Sequence, residues 1–401
     1  MSRMVAILGL LSMSLAVQAA PWARHAIDDS SRGADGVRLG DINGDGRLDI
    51  TTGWEEGARV RVYLQPAAGK VKDRWPAVTV GEARSPEDAM FVDFNGDGVL
   101  DVVSSCEGNT RTVFVHFAPR DQSKLLDPAS WRTEAIAATV NKQQWMYAMP
   151  LDMDGQRGID VIIGSKGKNA GIGWLESPDN PRNVAAWKYH RLRDAGWIMS
   201  LEAVDIDGDG DLDVLASDRK GDKRGVFWLE NAGHSAEAVN RWRVHTIGGE
   251  DHEVMFLEYA DFDGDGRQEI VVAAKPRRVL VFARADDPRK RWTADIIELQ
   301  GNLGNAKAVR VTDVDLDGRA DVLLSCEGAT GGKSGVAWFS REQTSDAAAK
   351  SPWTMHDISG PPGTKFDRIE LVDLDNDGDL DVITCEEAEN LGVIWYENPA
   401  R

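Results

Sequence analysis

Cysteine is scarce: there are three in 401 residues. An odd number leaves at least one free thiol in a secreted chain. Cys106, Cys326 and Cys385 close similar segments, "SCEG", "SCEG" and "TCEE", and read as small half-buried apolar residues. A bond between Cys326 and Cys385, in neighbouring repeats, stays open. Positive charge is also short, with 46 Lys and Arg against 66 Asp and Glu, a net charge of −20. That excludes nucleic acid as a natural partner. There is no P-loop, dinucleotide fingerprint, nucleophile motif, long linker or low-complexity tract. The apolar run Val5 to Val17 is too short to span a bilayer comfortably. With Arg3 before it and "VQA" after it, residues 1–19 read as a signal peptide cut after Ala19, since Pro21 disfavours a cut after Ala20. The mature chain is therefore expected in the periplasm or outside the cell. No cysteine follows the cut to carry a lipid anchor, and no membrane insertion is expected.

What the sequence has in abundance is one acidic loop. "DINGDGRLD" at Asp41 returns at Asp93, Asp152, Asp205, Asp261, Asp313 and Asp373, in steps of 52, 59, 53, 56, 52 and 60 residues. It begins like an EF-hand loop, but position 12 is Thr52 rather than a bidentate Glu. Its flanks alternate like strands, not helices. A period of this size marks a propeller or an array. A Trp-led strand recurs seven times as well, at Trp22, Trp75, Trp131, Trp187, Trp242, Trp292 and Trp353, and segments such as "GVFWLEN" and "GVIWYENP" supply another strand.

Each unit thus reads as four short strands. The fold expected is all-β: a seven-bladed β-propeller of four-stranded antiparallel blades filling 20–401 as a single domain. The first Trp strand precedes the first acidic loop, and the last loop lacks its fourth strand. Residues 21–28 should therefore complete the blade made by 366–398. The longer inserts near 66–74, 119–130 and 341–351 fall between third and fourth strands.

Alternating acids in a tight turn aim several oxygens at one centre, and a Gly at position 6 permits the turn. Positions 1, 3, 5 and 9 of the seven copies hold 25 acidic residues. These loops would repel themselves without a counter-ion. Calcium suits such a cage better than magnesium, because the loop offers too many protein oxygens for the latter. About six sites are expected. The third copy departs, with Gln156 and Arg157 at positions 5 and 6, so its site at Asp152 is doubtful; Arg157 could itself neutralise Asp152 and Asp160.

The copies resemble the FG-GAP, or VCBS, repeats of integrin α-subunit propellers and of many bacterial secreted proteins. The resemblance covers essentially all of the mature chain. Literal Phe-Gly and Gly-Ala-Pro signatures are missing, which points to the bacterial branch. It implies a seven-bladed propeller with calcium between first and second strands. In the first loop the ligands carried over are Asp41, Asn43, Asp45, the Arg47 carbonyl and Asp49, and in the second Asp93, Asn95, Asp97 and Asp101. The fourth and fifth would use Asp205, Asp207, Asp209 and Asp213, then Asp261, Asp263, Asp265 and Glu269. The last two would use Asp313, Asp315, Asp317 and Asp321, then Asp373, Asp375, Asp377 and Asp381. The family is functionally diverse, so fold does not give function.

A ligand is expected on the opposite face, at the mouth of the central channel. Six places after each closing acid stand Glu55, Glu107, Lys166, Arg219, Lys275, Glu327 and Glu387, acidic in blades six, seven, one and two and basic in three, four and five. Blade-to-blade loops add Glu87, Trp145, Tyr147, Trp197, His252, Glu253, Lys307, Lys365, Asp367 and Arg368. One reading is a secreted binding or scaffold module for carbohydrate or another extracellular ligand, polysaccharide or protein. An anionic ligand would be held by Lys166, Arg219 and Lys275, with Glu55, Glu107 and Glu327 facing its hydroxyls and Trp54, Trp145 or Trp197 stacking on a sugar ring. Lys166 and Arg219 are expected to be exposed. The alternative is a carbohydrate-active enzyme, of lyase or dehydratase type, in which His252, Glu107 and Arg219 converge. The bland reading of the same charges is interblade salt bridges. His25, His190, His245 and His356, each three places after a Trp, read as structural.

Overall fold

The computed structural model describes residues 20–156, 158–233, 242–341 and 352–401. The segment 1–19 read as a signal peptide, Arg157 and most of the 341–351 insert lie outside the described residues. Among the described residues no helix is long and apolar enough to cross a membrane.

The strands assemble into seven four-stranded antiparallel sheets. Six are built from consecutive strands. The seventh pairs Ala23–Asp28 with Gly392–Glu397, so the first strand of the chain closes the last blade, as the motif order requires. The innermost strands, Ala34–Gly40, Pro86–Val92, Gln144–Pro150, Ile198–Val204, Glu253–Ala260, Asn305–Thr312 and Phe366–Val372, each pack against those of both neighbouring blades and form the channel wall. Each carries a register shift against its second strand, for example between Asp35 and Arg38 or between Trp145 and Tyr147. A bulge places an extra residue on the inner strand and turns its side chains. Here all seven bulges fall near the end of the inner strand away from the acidic loop.

The cores lie between blades, because both faces of each sheet are covered by a neighbour. Tryptophan serves this purpose with a polar handle. Trp75 and Trp395 both donate their indole N–H to the Val71 carbonyl, at 3.0 and 3.3 Å, joining blades one and seven. Trp292 and Trp228 do the same at the Pro288 carbonyl, at 3.1 and 3.3 Å. The four recurring histidines are structural, as read. His25, His190, His245 and His356 lie against Trp395, Trp174, Trp228 and Trp338 with ring centroids 4.5, 4.6, 4.6 and 3.9 Å apart. All three cysteines are free and fully buried, so Cys326 and Cys385 form no bond.

Candidate functional site

Two sets of charged residues occupy opposite ends of the blades. The acidic loops join first to second strands at one end. Their sixth residue is a glycine at positive φ in six blades, for example Gly46 at 84° and Gly378 at 96°. The structure adds a feature absent from the sequence reading: position 4 is left-handed too, and blades six and seven place Leu316 (60°) and Asn376 (62°) there. The first acid of the loop gathers its backbone: Asp41 accepts from the Asp45 and Gly46 N–H groups at 3.1 and 2.9 Å. The closing acid is a bracket as well as a candidate ligand. Asp49 accepts from Ile42 N–H at 3.0 Å and from Gln65 N–H, past the third strand, at 2.8 Å. Asp160, Asp213 and Asp381 repeat this arrangement.

These loops fit a cation. In blade four, oxygens of Asp205, Asp207 and Asp213 lie within 4.8 Å of one another, and so do those of Asp261, Asp263 and Asp265 in blade five and of Asp313, Asp315 and Asp321 in blade six. Blade three brings Asp152, Asp154 and Asp160 together to the same spacing despite its altered sequence. Gly155 and Gly158 take the positive φ there, while Gln156 occupies Asp154 with both its backbone and side-chain amide, at 2.9 and 2.7 Å. Burial pushes Asp101, Asp160, Asp213, Asp321 and Asp381 up to about 7 and Asp49 up to about 6; backbone N–H groups oppose the shift and the loop's other acids add to it. Carboxyls pushed up by burial, and further by one another, are groups a divalent ion would relieve.

At the other end of the channel lies a cavity of about 230 Å³. Its lining comes from six of the seven blades, including Asp35 and Glu55 of blade one, Glu87 and Glu107 of two, Lys166 of three, Arg219 of four, Lys307 and Glu327 of six, and Lys365 and Asp367 of seven. The cations are tied to acids. Lys166 pairs with Glu107 and lies 3.3 Å from Glu87. Arg219 bonds Glu253 at 2.6 Å, Lys307 bonds Asp367 at 2.5 Å, and Lys275 and Lys365 pair with Glu327 and Glu387. Burial pushes Glu87 up to about 8 against the pull of Lys166, with Glu107 and Glu55 adding to the rise. Burial, then Asp367 and Glu87, put Asp35 well above the usual carboxylate range. Asp367 stays below that range: burial would raise it, but Lys307 more than offsets this. Deeper in the channel, three residues before each loop, Arg38 forks onto Asp88 at 2.9 and 3.0 Å and Arg310 meets Glu370 at 3.3 Å.

Residues 41–104 and 261–324 each match the family model described as the FG-GAP-like repeat. The chain is a seven-bladed propeller that carries FG-GAP-like repeats. Solved structures of BBS1N in complex with ARL6DN, from mercury- and lead-soaked crystals, are similar to it at 8% and 9% identity. They cover 95% and 94% of this chain and 99% and 97% of their own, with TM-scores of 0.50 and 0.51, a likeness of fold alone. No curated protein matches the sequence.

The propeller brings five of the seven residues that follow a closing acid by six places into the cavity wall, Glu55, Glu107, Lys166, Arg219 and Glu327, but not Lys275 or Glu387; Glu87, Tyr147, Trp197, Lys307, Lys365 and Asp367 of the blade-to-blade loops join them. Other expectations need correction. Lys166 and Arg219 are not exposed; their side chains are 17% and 11% accessible, because neighbouring blades supply their counter-ions. Lys275 does not line the cavity and is spent on Glu327. Trp145 is fully buried between blades, with its indole on the Thr139 carbonyl at 3.2 Å; strand alternation turns the next residue, Met146, into the cavity instead. Trp54 is buried on Tyr63. Lys166, Arg219 and Lys220 stand over the Trp197 ring at 4.6, 4.6 and 4.7 Å, leaving little bare face for a sugar. His252 is outside the cavity lining, so it does not converge with Glu107 and Arg219. Sequence reasoning missed Asp35 and Met199 of the lining, although both stand six places before a loop's first acid, in the column of Glu87, Lys307 and Asp367.

Proposed function

We propose that this propeller is an exported binding module whose loops hold calcium and whose ligand, a hydroxyl-rich carbohydrate, is seated at the channel mouth. The observation that carries the reading is the cavity opposite the acidic loops, into which six blades send charged and polar side chains. A concave site with a few convergent polar groups is the usual form of a ligand seat. The calcium ligands would be the acids at positions 1, 3, 5 and 9 of each loop. Their ions would set the blades' geometry and leave the mouth to recognition.

Calorimetry against a panel of neutral, acidic and aminated oligosaccharides tests this, with Glu55→Arg as the blocking variant. Glu55 has no hydrogen-bonded or ion-paired side-chain partner among the described residues, so its replacement should spare the fold. Arginine there would fill the mouth. Binding by the parent and at least tenfold weaker binding by E55R are expected. A ligand that binds E55R as it binds the parent places the site elsewhere.

A further inference from the structure

The charges of the mouth do not balance, and the residue of that imbalance sits in one place. Four cations line the cavity, and each has its own carboxylate: Lys166 with Glu107, Arg219 with Glu253, Lys307 with Asp367, and Lys365 with Glu387. Glu327 is held by Lys275. Three lining carboxylates remain: Asp35, Glu55 and Glu87. These three converge, with one oxygen from each within 4.8 Å of the others. Asp35 is only 6% exposed, and among the described residues its side chain is hydrogen-bonded only to another carboxyl, Asp367, which Lys307 already claims. Glu87 is 8% exposed and meets the far side of Lys166, at 3.3 Å, and the Glu107 carboxyl. Carboxyls buried against one another without a cation of their own are costly.

We propose that the mouth receives a primary ammonium group, bound by Asp35, Glu55 and Glu87. This rests on the reading of the mouth as the ligand seat and gives that ligand its charge, opposite to the anion expected from sequence. An ammonium has three donors and no acceptor. Donated tetrahedrally at ordinary lengths, they reach oxygens about 4.6 Å apart, inside the 4.8 Å that bounds the triad's oxygens. The ring already uses this device: Lys166 places its ammonium between Glu107 and Glu87, and Lys275 between Glu327 and Glu253, the latter at 3.6 Å. Blade one contributes two acids and no lysine, so an incoming amine takes the place a further lysine would occupy. The groups facing the triad are Glu107, Asp367, Glu387 and Tyr147, and the cations Lys166, Lys307 and Lys365. Burial, helped by neighbouring carboxyls, pushes all three acids up, Glu87 to about 8, so an arriving ammonium should displace protons.

The test uses one sugar ring with three substituents at one carbon: glucose, 6-amino-6-deoxyglucose and glucuronate, titrated into the full chain. The amine is expected to bind at least tenfold more tightly than glucose, with a heat that changes between buffers of different ionisation enthalpy. Asp35→Asn and, separately, Glu55→Gln should each remove most of that advantage, read as the ratio of amine to glucose affinity within the same variant. Equal binding across the series, preference for glucuronate, or no binding of the amine overturns the inference. So does a calcium ion on the triad in crystals grown with calcium. If the amine has no advantage but E55R still abolishes glucose binding, the inference falls and the mouth remains the ligand seat. If E55R binds every sugar as the parent does, both fall.

Discussion

Asp28 joins the two ends of the ring. It is the last residue of the closing strand Ala23–Asp28, in blade seven, but its side chain serves blade one. Its Oδ2 accepts from the Tyr63 hydroxyl at 3.0 Å and from Arg61 Nη1 at 2.5 Å, and Oδ1 accepts from Ser30 N–H at 2.9 Å. Tyr63 in turn accepts from the Trp54 indole at 2.8 Å, and both rings are fully buried. In Asp28→Ala the phenol loses its acceptor and the guanidinium its charge partner. A buried group left unsatisfied costs about 1–3 kcal/mol. Breaking a buried ion pair costs about 3–5 kcal/mol, and Arg61, whose side chain is 16% exposed, belongs at the low end. The sum is about 4 kcal/mol. For the 382 residues of 20–401, an unfolding entropy of about 2.1 cal/mol/K per residue gives a slope of about 0.8 kcal/mol/K. Differential scanning calorimetry should therefore show D28A melting about 5 °C below the parent. Asp28→Asn, which keeps an acceptor for Tyr63, should lose about half as much. Asp73→Ala, at an exposed carboxylate of blade one whose side chain holds no hydrogen bond or ion pair among the described residues, is the control. If D28A melts like D73A, the seam does not hold the ring as argued.

Chelation should destabilise the protein far more than any single substitution. With extracellular-type dissociation constants and calcium about tenfold above them, each site contributes roughly 1.4 kcal/mol and six sites about 8 kcal/mol; an unchanged Tm in excess chelator refutes this. Without metal, the closing acids have folded pKa values near 7, above about 3.9 in the unfolded chain. The folded state then binds more protons, so their stabilisation is full below pH 4 and lost as pH rises through 7. Tm in chelator should fall between pH 5 and 8, against the opposing pull of one buried histidine, His116, held down to about 3 by burial; a flat or rising profile contradicts the assignment. Leu316 stands exposed at φ 60° where blade seven uses Asn376, and Leu316→Asn should raise Tm by relieving up to about 1 kcal/mol of strain; a lower Tm would show that the leucine is held by packing.

The blades, their count and the closing strand were legible because each rests on local periodicity and on repetition. A loop recurring every 52 to 60 residues leaves little freedom in how strands are ordered. The ring of Glu55, Glu107, Lys166, Arg219 and Glu327 was legible for the same reason, since equivalent positions in equivalent blades meet at one place. Pairing was not legible. Whether Lys166 is free or bound depends on its distance to Glu107 in the next blade, and no sequence period encodes that distance. The sign of the ligand was read from the cations, but they are spent on neighbours; the uncompensated charge is acidic. Trp145 and Trp197 occupy similar loops in the sequence, yet one is core and the other rim. The bulge between Trp145 and Tyr147 resets the alternation at the point where the reading needed it.

The closing strand has a consequence for how the protein reaches its fold. His25 and Glu397, bonded across the seam, are 372 residues apart. Six blades form from neighbouring segments, but the seventh waits for two distant ends to meet. Closing so long a loop costs about 3 kcal/mol more than closing a ten-residue hairpin. Until then the edge of Gly392–Glu397 is unpaired, and Ile394 and Trp395 beside it lack part of their cover. The same edge will accept Ala23–Asp28 from any other chain, in the same register. Folding is therefore a competition between one intramolecular encounter and an exchange whose rate rises with concentration. Dilute refolding should yield closed rings, and concentrated refolding should yield chains linked blade to strand.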